Sequence, residues 1–237
     1  MKISNLLNVD YSHINSLLTN FNKKLRLDIG TSISAPVTRH WFNRLNDIVC
    51  IGIEPNPDCV YKENHWNNGI YNIINVFENH PQKDFYYHII GAVDDVDNLT
   101  LRKFNVLNGN VGCSSLLEPI WPFKGCELDK VIDVETFPLK SLLKNIDFKL
   151  IELIKIDTQG KDLDIIKSAG DYIKKVCYID MEDDCTKGYK GAADRNSILE
   201  YMKKFDFELY KIESGNLRFK NIGITIPNNF NNITGDM

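Results

Sequence analysis

The sequence has no Cys-x-x-Cys pair among its six cysteines, no His-x-His or His-Glu-x-x-His arrangement among its five histidines, and no surplus of basic residues. The first two absences remove the familiar zinc-ligand spacings, so no metal site is expected. The third leaves a net charge of −4, from 28 basic and 32 acidic side chains. Nothing then draws the chain as a whole to a phosphate backbone, and nucleic acid is not an expected partner. The Asn-Pro-Pro-Tyr type of motif that serves exocyclic amino groups is also missing. No apolar run is long enough to span a bilayer, and the first stretch is broken by Asn5, Asn8, Asp10 and His13, so it lacks the apolar core of a signal peptide. A cytoplasmic, reducing location is the expectation, with cysteines serving as small apolar side chains. No repeat, low-complexity block or Pro/Gly linker divides the 237 residues, 43% of them hydrophobic. One domain over 1–237 is expected, with 1–23 as a helical extension.

What is present is an alternation of strand-like and helical runs, which points to a parallel sheet with helices on its faces. Lys24 to Ile29 reads as the first buried strand, followed by a turn and a helix with Ser34 as its N-cap and Pro36 in its first turn. Ile48 to Ile53 ends at Glu54, with Pro55 and Pro57 closing off any continuation into a helix. Phe85 to Val93 runs into Asp94 and Asp95. Residues 99–139 read as a segment inserted over the sheet, a possible acceptor lid, with strand-like pieces at Leu99 to Val106 and Val131 to Phe137. Leu150 to Ile156 reaches Asp157 and a helix carrying Leu163, Ile165 and Ile166; Val176 to Met181 reaches Glu182. After a helix over 194–204, Phe207 to Ile212 and Leu217 to Ile226 form a hairpin turning at Ser214-Gly215-Asn216.

Ligands of an open parallel sheet bind beyond the carboxyl ends of its strands, and every predicted strand here ends at or just before an acid. Asp28-Ile-Gly30 opens the first strand-to-helix turn, but Ser32 and Ala35 stand where the dinucleotide fingerprint has its other glycines. An acid two residues before Gly30 repels a pyrophosphate, yet it accepts readily from an ammonium group. Glu54 follows about two dozen residues later, close to the spacing at which such sheets place a carboxylate on ribose hydroxyls. Taken singly, these are also what an ordinary tight turn and a strand-terminal surface acid look like.

Asp28-Ile-Gly30, Ile53-Glu-Pro-Asn-Pro57, Gly91-Ala-Val93, Cys113-Ser-Ser-Leu116, Thr136-Phe-Pro-Leu139 and above all Ile154-Lys-Ile-Asp-Thr-Gln-Gly160 with Asp162-Leu-Asp-Ile-Ile-Lys167 resemble the FkbM family of methyltransferases, in matching order from about Leu25 to Tyr210. The first motif departs from the family, with Gly30-Thr-Ser-Ile-Ser34 in place of Gly-Ala-Asn-x-Gly. The resemblance implies a Rossmann-like α/β fold of the class I methyltransferase type: a mostly parallel seven-stranded sheet, an antiparallel C-terminal strand and an insertion between strands three and four. It implies S-adenosylmethionine as cofactor, with Asp28, Gly30 and Ser32 flanking its methionine part. Glu54, with Pro55, would hold the ribose, and Ala92, Val93 and Asp94 would lie near the adenine. Asp157 would lie beside the methyl group. The family works mainly on hydroxyls of sugars and secondary metabolites, which implies a small-molecule or glycan acceptor.

Methyl transfer from a sulfonium is an in-line displacement, so alignment is the main task and removal of the acceptor's proton a secondary one. Asp157 is the preferred base and Glu182 the second candidate; Asp157 as a mere helix cap is the alternative. Gln159 orients a polar acceptor or faces solvent. Ser114, Ser115 and Trp121-Pro-Phe123 would line an acceptor pocket, unless Trp121 only anchors its loop. Asp180, Glu182, Asp183 and Asp184 read as a solvated acidic loop in preference to a cation site. With Asp28 and Glu54 at the rim, alanine at either is expected to weaken cofactor binding and spare the fold. A nicotinamide-dependent oxidoreductase and a binding protein that has lost activity remain the alternative readings.

Overall fold

The computed structural model describes residues 1–62, 64–66, 69–121, 125–183, 185–213 and 215–233, with backbone alone at 64–66, 69–71 and 231–233. In chain order the elements are β1 (Lys2–Ser4), α1 (Tyr11–Asn20), β2 (Lys24–Ile29), α2 (Pro36–Arg44), β3 (Ile48–Glu54), α3 (Pro57–Tyr61), the short pair β4 (Asn64–Trp66) and β5 (Gly69–Tyr71), and α4 (Ile73–Phe77). Then come β6 (Tyr86–Ile90), β7 (Ala92–Val93), β8 (Thr100–Leu107), β9 (Leu128–Phe137), α5 (Leu139–Leu143), β10 (Ile151–Ile156), α6 (Asp162–Ser168), β11 (Val176–Glu182), α7 (Arg195–Lys203), β12 (Phe207–Glu213) and β13 (Asn216–Asn221). The main sheet has eight strands in the order β1-β6-β3-β2-β10-β11-β13-β12. All neighbours run parallel except β13, which is antiparallel to both β11 and β12. This mixed α/β architecture is consistent with an α/β methyltransferase fold.

Several local expectations need correction. The sheet has one strand more than the expected seven because Lys2–Ser4 adds itself to the β6 edge, so residues 1–23 are not purely helical. Ser34 is not the cap of α2: Ala35, at φ 40° and fully buried, takes that place, and Pro36 starts the helix. Pro57 opens α3 where it was expected to forbid a helix, since the first helical position needs no N–H; Asn56 caps it by accepting from the Asp58 N–H at 3.1 Å. The run from Phe85 to Val93 breaks at Gly91, and Ala92–Val93 leaves to pair with Thr136 and Phe137 in a second sheet, β7-β9-β8. β13 stops at Asn221, well before Ile226, because the Asn221 side chain folds the chain back: it accepts from the Gly223 N–H and donates to the Val176 carbonyl. The turn residue Ser214 lies outside the described residues.

Alternation along β2 explains how six buried residues serve two faces. Leu25, Leu27 and Ile29 enter the larger core with Ile151, Ile154, Ile156, Ile165 and Met181, while Lys24, Arg26 and Asp28 point to the face of Trp41 and Cys50. Arg26 is held there by Glu152 at 2.6 Å, its guanidinium 5.0 Å from the Trp41 ring centroid. Nearer the carboxyl ends, one register row crosses six strands: His88, Gly52, Asp28, Lys155, Asp180 and Arg218 are successive cross-strand partners. Lys155 stands 3.4 Å from Asp28, and Arg218 3.2 Å from Asp180. Burial pushes His88 down to about 3, so it is neutral and bonded through Nδ1 to the Tyr86 hydroxyl at 2.9 Å. Gly52 has no room for a side chain, since a Cβ there would meet that same hydroxyl at 2.3 Å. Gly52→Ala is accordingly expected to cost about 1–3 kcal/mol by overpacking, read as a lower urea midpoint with an unchanged denaturant slope.

Candidate functional site

The strands end in register, and the backbone ties their ends together: Gly30 N–H bonds Ile53 O at 2.9 Å, Asp157 N–H bonds Ile29 O at 2.9 Å, and Gly91 N–H bonds Glu54 O at 3.2 Å. Above these ends lies a cavity of about 370 Å³. Its floor is Gly30, Ser32, Glu54, Pro55, Ala92 and Val93; Asp157, Thr158, Gln159 and Lys161 form one wall. Its roof is Phe104 and Leu116 with the single turn from Asn110 to Ser114, where the Asn110 side chain accepts from Gly112 N–H at 3.1 Å. Ser115 fastens this roof to the wall: its hydroxyl donates to the Gln159 carbonyl at 2.9 Å and accepts from Leu117 N–H at 3.0 Å.

Gly30 has φ 83°, and a Cβ there would fall 1.9 Å from the Asp157 carbonyl oxygen. The glycine is therefore required by the neighbouring strand end, which packs directly against it. Ser32, at φ 56°, turns its N–H onto Glu54 Oε2 at 2.9 Å, while Asn56 N–H bonds Oε1 at 3.0 Å. Burial pushes the Glu54 carboxyl up to about 7, in spite of these two N–H donors and the Lys155 charge. Glu54 is thus a cavity-lining acid, 6% exposed, that is costly to ionise until further donors reach it.

Asp28 is placed differently from the expectation. It is fully buried beneath the floor, accepting from the Thr38 hydroxyl at 2.7 Å and facing Lys155, and it does not line the cavity. Lys155 also donates to the Gly30 carbonyl at 3.0 Å and stands 3.6 Å from Asp157. Burial works against its charge, but Asp28 and Asp157 more than offset this and raise it above the ordinary lysine range. Asp94 also lies behind the cavity wall, engaged by Lys161 at 2.7 Å and Arg102 at 3.5 Å.

At the β10 and β11 ends, Gln159 Nε2 donates to Asp157 Oδ1 and to Glu182 Oε2, each at 2.8 Å. Gln159 is 7% exposed, and both N–H groups of its amide are already engaged by these two acids. Asp157 does not cap α6; the carboxylate that ties down this turn is Asp162, accepting from Gly160 N–H, the Thr158 hydroxyl and Glu182 N–H. Burial, with Asp157 close by, raises Asp162 to about 6; burial with both Asp157 and Asp162 raises Glu182 further. Asp157, whose side chain is 41% exposed, is the member of this group open to an incoming molecule.

Of the predicted site residues, the cavity brings together Gly30, Ser32, Glu54, Pro55, Ala92, Val93, Asp157 and Gln159, with Glu182 one side chain behind. Ser114 lines the roof while its hydroxyl accepts from Leu107 N–H, whereas Trp121 is 44% exposed and away from the lining. Pro122, Phe123 and Asp184 lie outside the described residues. Asp180 and Asp183 face Arg218 and Arg195. Lys155, Asp162, Lys161 and Tyr189 were not singled out. Lys155 stands inside the Lys-Ile-Asp-x-x-Gly block and Asp162 opens the motif that follows it, so both were findable there; Tyr189 carries no motif.

Asp28→Ala is expected to cost about 3 kcal/mol of stability by leaving Lys155 with a partner missing in a buried setting. Equilibrium urea unfolding reads this directly, and an unchanged midpoint would show that Asp28 is not the support described.

No curated protein sequence matches this chain. A family model, the methyltransferase FkbM domain, matches residues 28–209, a span holding the floor, roof and wall of the cavity together with Tyr189. The chain belongs to the FkbM methyltransferase family.

Proposed function

We propose that the chain transfers a methyl group from S-adenosylmethionine to a hydroxyl of a small-molecule or glycan acceptor. Glu54 is the observation that carries this reading. Each of its oxygens accepts one backbone N–H and keeps a second lone pair, so the carboxylate suits the vicinal diol of a ribose. Two such donors would also offset what ionisation costs it in the cavity. The cavity volume falls within the roughly 300–1,000 Å³ usual for cofactor sites. Gly30 and Ser32 would then border the methionine part, and Ala92 and Val93 the adenine, with Asp94 acting from behind the wall. Asp28 would serve through Lys155 and the Gly30 carbonyl, without touching the cofactor.

A nicotinamide dinucleotide fits less well. The Ser32 N–H, one that a pyrophosphate would need, is already spent on Glu54, and Ala35 and Pro36 supply no glycine-rich approach. The five buried cysteines, with no disulfide among the six, suit a reducing cytoplasmic location. Among the described residues no helix is long and apolar enough to cross a membrane.

Bound S-adenosylmethionine would supply an electrophilic methyl group to the acceptor oxygen, its carbon–sulfur pair staying on sulfur. The chain's own part is placement and a proton. Asp157 takes the acceptor's hydroxyl proton, and Glu182 acts behind it through Gln159.

Calorimetric titration with S-adenosylhomocysteine, with NAD in parallel, tests the reading. Micromolar binding, about −8 kcal/mol, is expected for S-adenosylhomocysteine, with at least about a tenfold loss in Glu54→Ala. Binding of NAD alone would overturn the assignment, and bound S-adenosylhomocysteine without turnover on any hydroxylated acceptor would favour a binding protein on this fold. Affinity should also depend on pH. Glu54 accepts from two hydroxyls only when ionised, so binding weakens as pH falls through about 7, and Glu54→Gln should remove that dependence.

A further inference from the structure

Four separate stretches of chain meet at Gln159. Its backbone is in the left-handed region at φ 58°, a strained choice for a residue with a side chain. Its carbonyl accepts from Ser115, and its Nε2 spans Asp157 and Glu182. Its Oε1 accepts from the Tyr189 hydroxyl at 2.9 Å, and the same phenol reaches the Cys113 carbonyl of the cavity roof at 2.6 Å. Tyr189 is 2% exposed and does not line the cavity. Its backbone is fixed as well: Pro119 bridges it, Ile120 N–H bonds Gly188 O, and Lys190 N–H bonds Glu118 O, both at 2.9 Å.

The amide of Gln159 can stand two ways round. With Nε2 between the carboxylates, both acids receive a donor and the phenol meets an acceptor; reversed, an oxygen would face two carboxylates. The two acids thus set the orientation, and the phenol, sharing its single proton between Oε1 and the Cys113 carbonyl, ties the amide in that orientation to the cavity roof. We propose that Tyr189 is a positioning residue for methyl transfer, which through Gln159 holds Asp157 and Glu182 as one acid–base pair beside the acceptor. The proposal rests on the reading of the β10 and β11 ends as the acceptor side.

The groups facing Glu182 are Asp157 at the end of β10, Asp162 on α6, the Cys185 thiol at 3.6 Å, the Lys155 ammonium and Tyr189. Burial, Asp157 and Asp162 raise its carboxyl, and the Gln159 N–H is the neighbour that opposes them directly. Loss or misdirection of that N–H must therefore raise Glu182 further.

Carboxyl-carbon NMR titration of ¹³C-labelled full-length protein measures this without any acceptor. In Gln159→Met the Glu182 titration is expected to move up by about one pH unit, the size of one lost hydrogen bond to the charged form. Tyr189→Phe should move it in the same direction by part of that amount. A Tyr189→Phe protein that melts lower but titrates like wild type would make Tyr189 a packing residue and overturn the proposal. So would a Gln159→Met titration that does not move. S-adenosylhomocysteine calorimetry on the wild type is a separate arm: its failure removes the cofactor reading, while the titration still decides whether Tyr189 and Gln159 govern the pair.

Discussion

The buried ammonium of Lys155 is the constraint on which the rest of the molecule turns. A lone cation at that depth costs several kcal/mol and is tolerated only when its surroundings are arranged around it. Here they are: Asp28 on one neighbouring strand, Asp180 opposite on the other, Asp157 beyond the strand end, and the Gly30 carbonyl above. Three of these partners, Gly30, Asp157 and Asp28, tie the ammonium to different parts of the candidate site. The Gly30 contact pins the first strand-to-helix turn, the Asp157 contact holds the half-exposed acid at the β10 end, and the Asp28 contact binds the floor to α2 through Thr38. One charge thus couples the fold's central strands to both halves of the proposed chemistry.

Much of this was legible in the sequence, for a simple reason. Strands buried on both faces are rich in apolar residues, so Ile48–Glu54, Ile151–Ile156 and Val176–Glu182 stand out, and Lys24–Ile29 shows as a strict alternation of apolar and charged residues; the acids at or beyond their ends mark where the apolar demand stops. The residues on the cavity surface followed from that marking. What the sequence hid were side chains acting at one remove. Asp28 has the chemistry of a ligand-binding acid and the position of a buried counter-ion, and only the register against Lys155 separates the two roles. Gln159 read as a side chain that orients an acceptor or faces solvent, yet its amide is engaged by two acids and a phenol. Tyr189 gave no signal because its relevance comes from a turn that brings it back over the sheet.

The same physics accounts for the misread boundaries. Proline is a reliable stop inside a helix and an equally good start at its first position, so Pro57 was ambiguous until the Asn56 cap was seen. The end of β13 depends on one side chain, Asn221, bonding two backbone groups from different segments. Such events depend on tertiary partners and leave no period in the sequence.

The roof of the cavity closes through contacts between residues far apart in the chain: Cys113 and Tyr189 are separated by 76 positions, and Ser115 and Gln159 by 44. The roof is held at these points by single side-chain hydrogen bonds, whereas the strands beneath are held by continuous backbone ladders and a buried core. A roof tied by so few bonds opens more readily by local fluctuation than the sheet beneath it. Local opening is thus expected first along the seam between the roof and the β10 end, while the strands beneath hold the floor still.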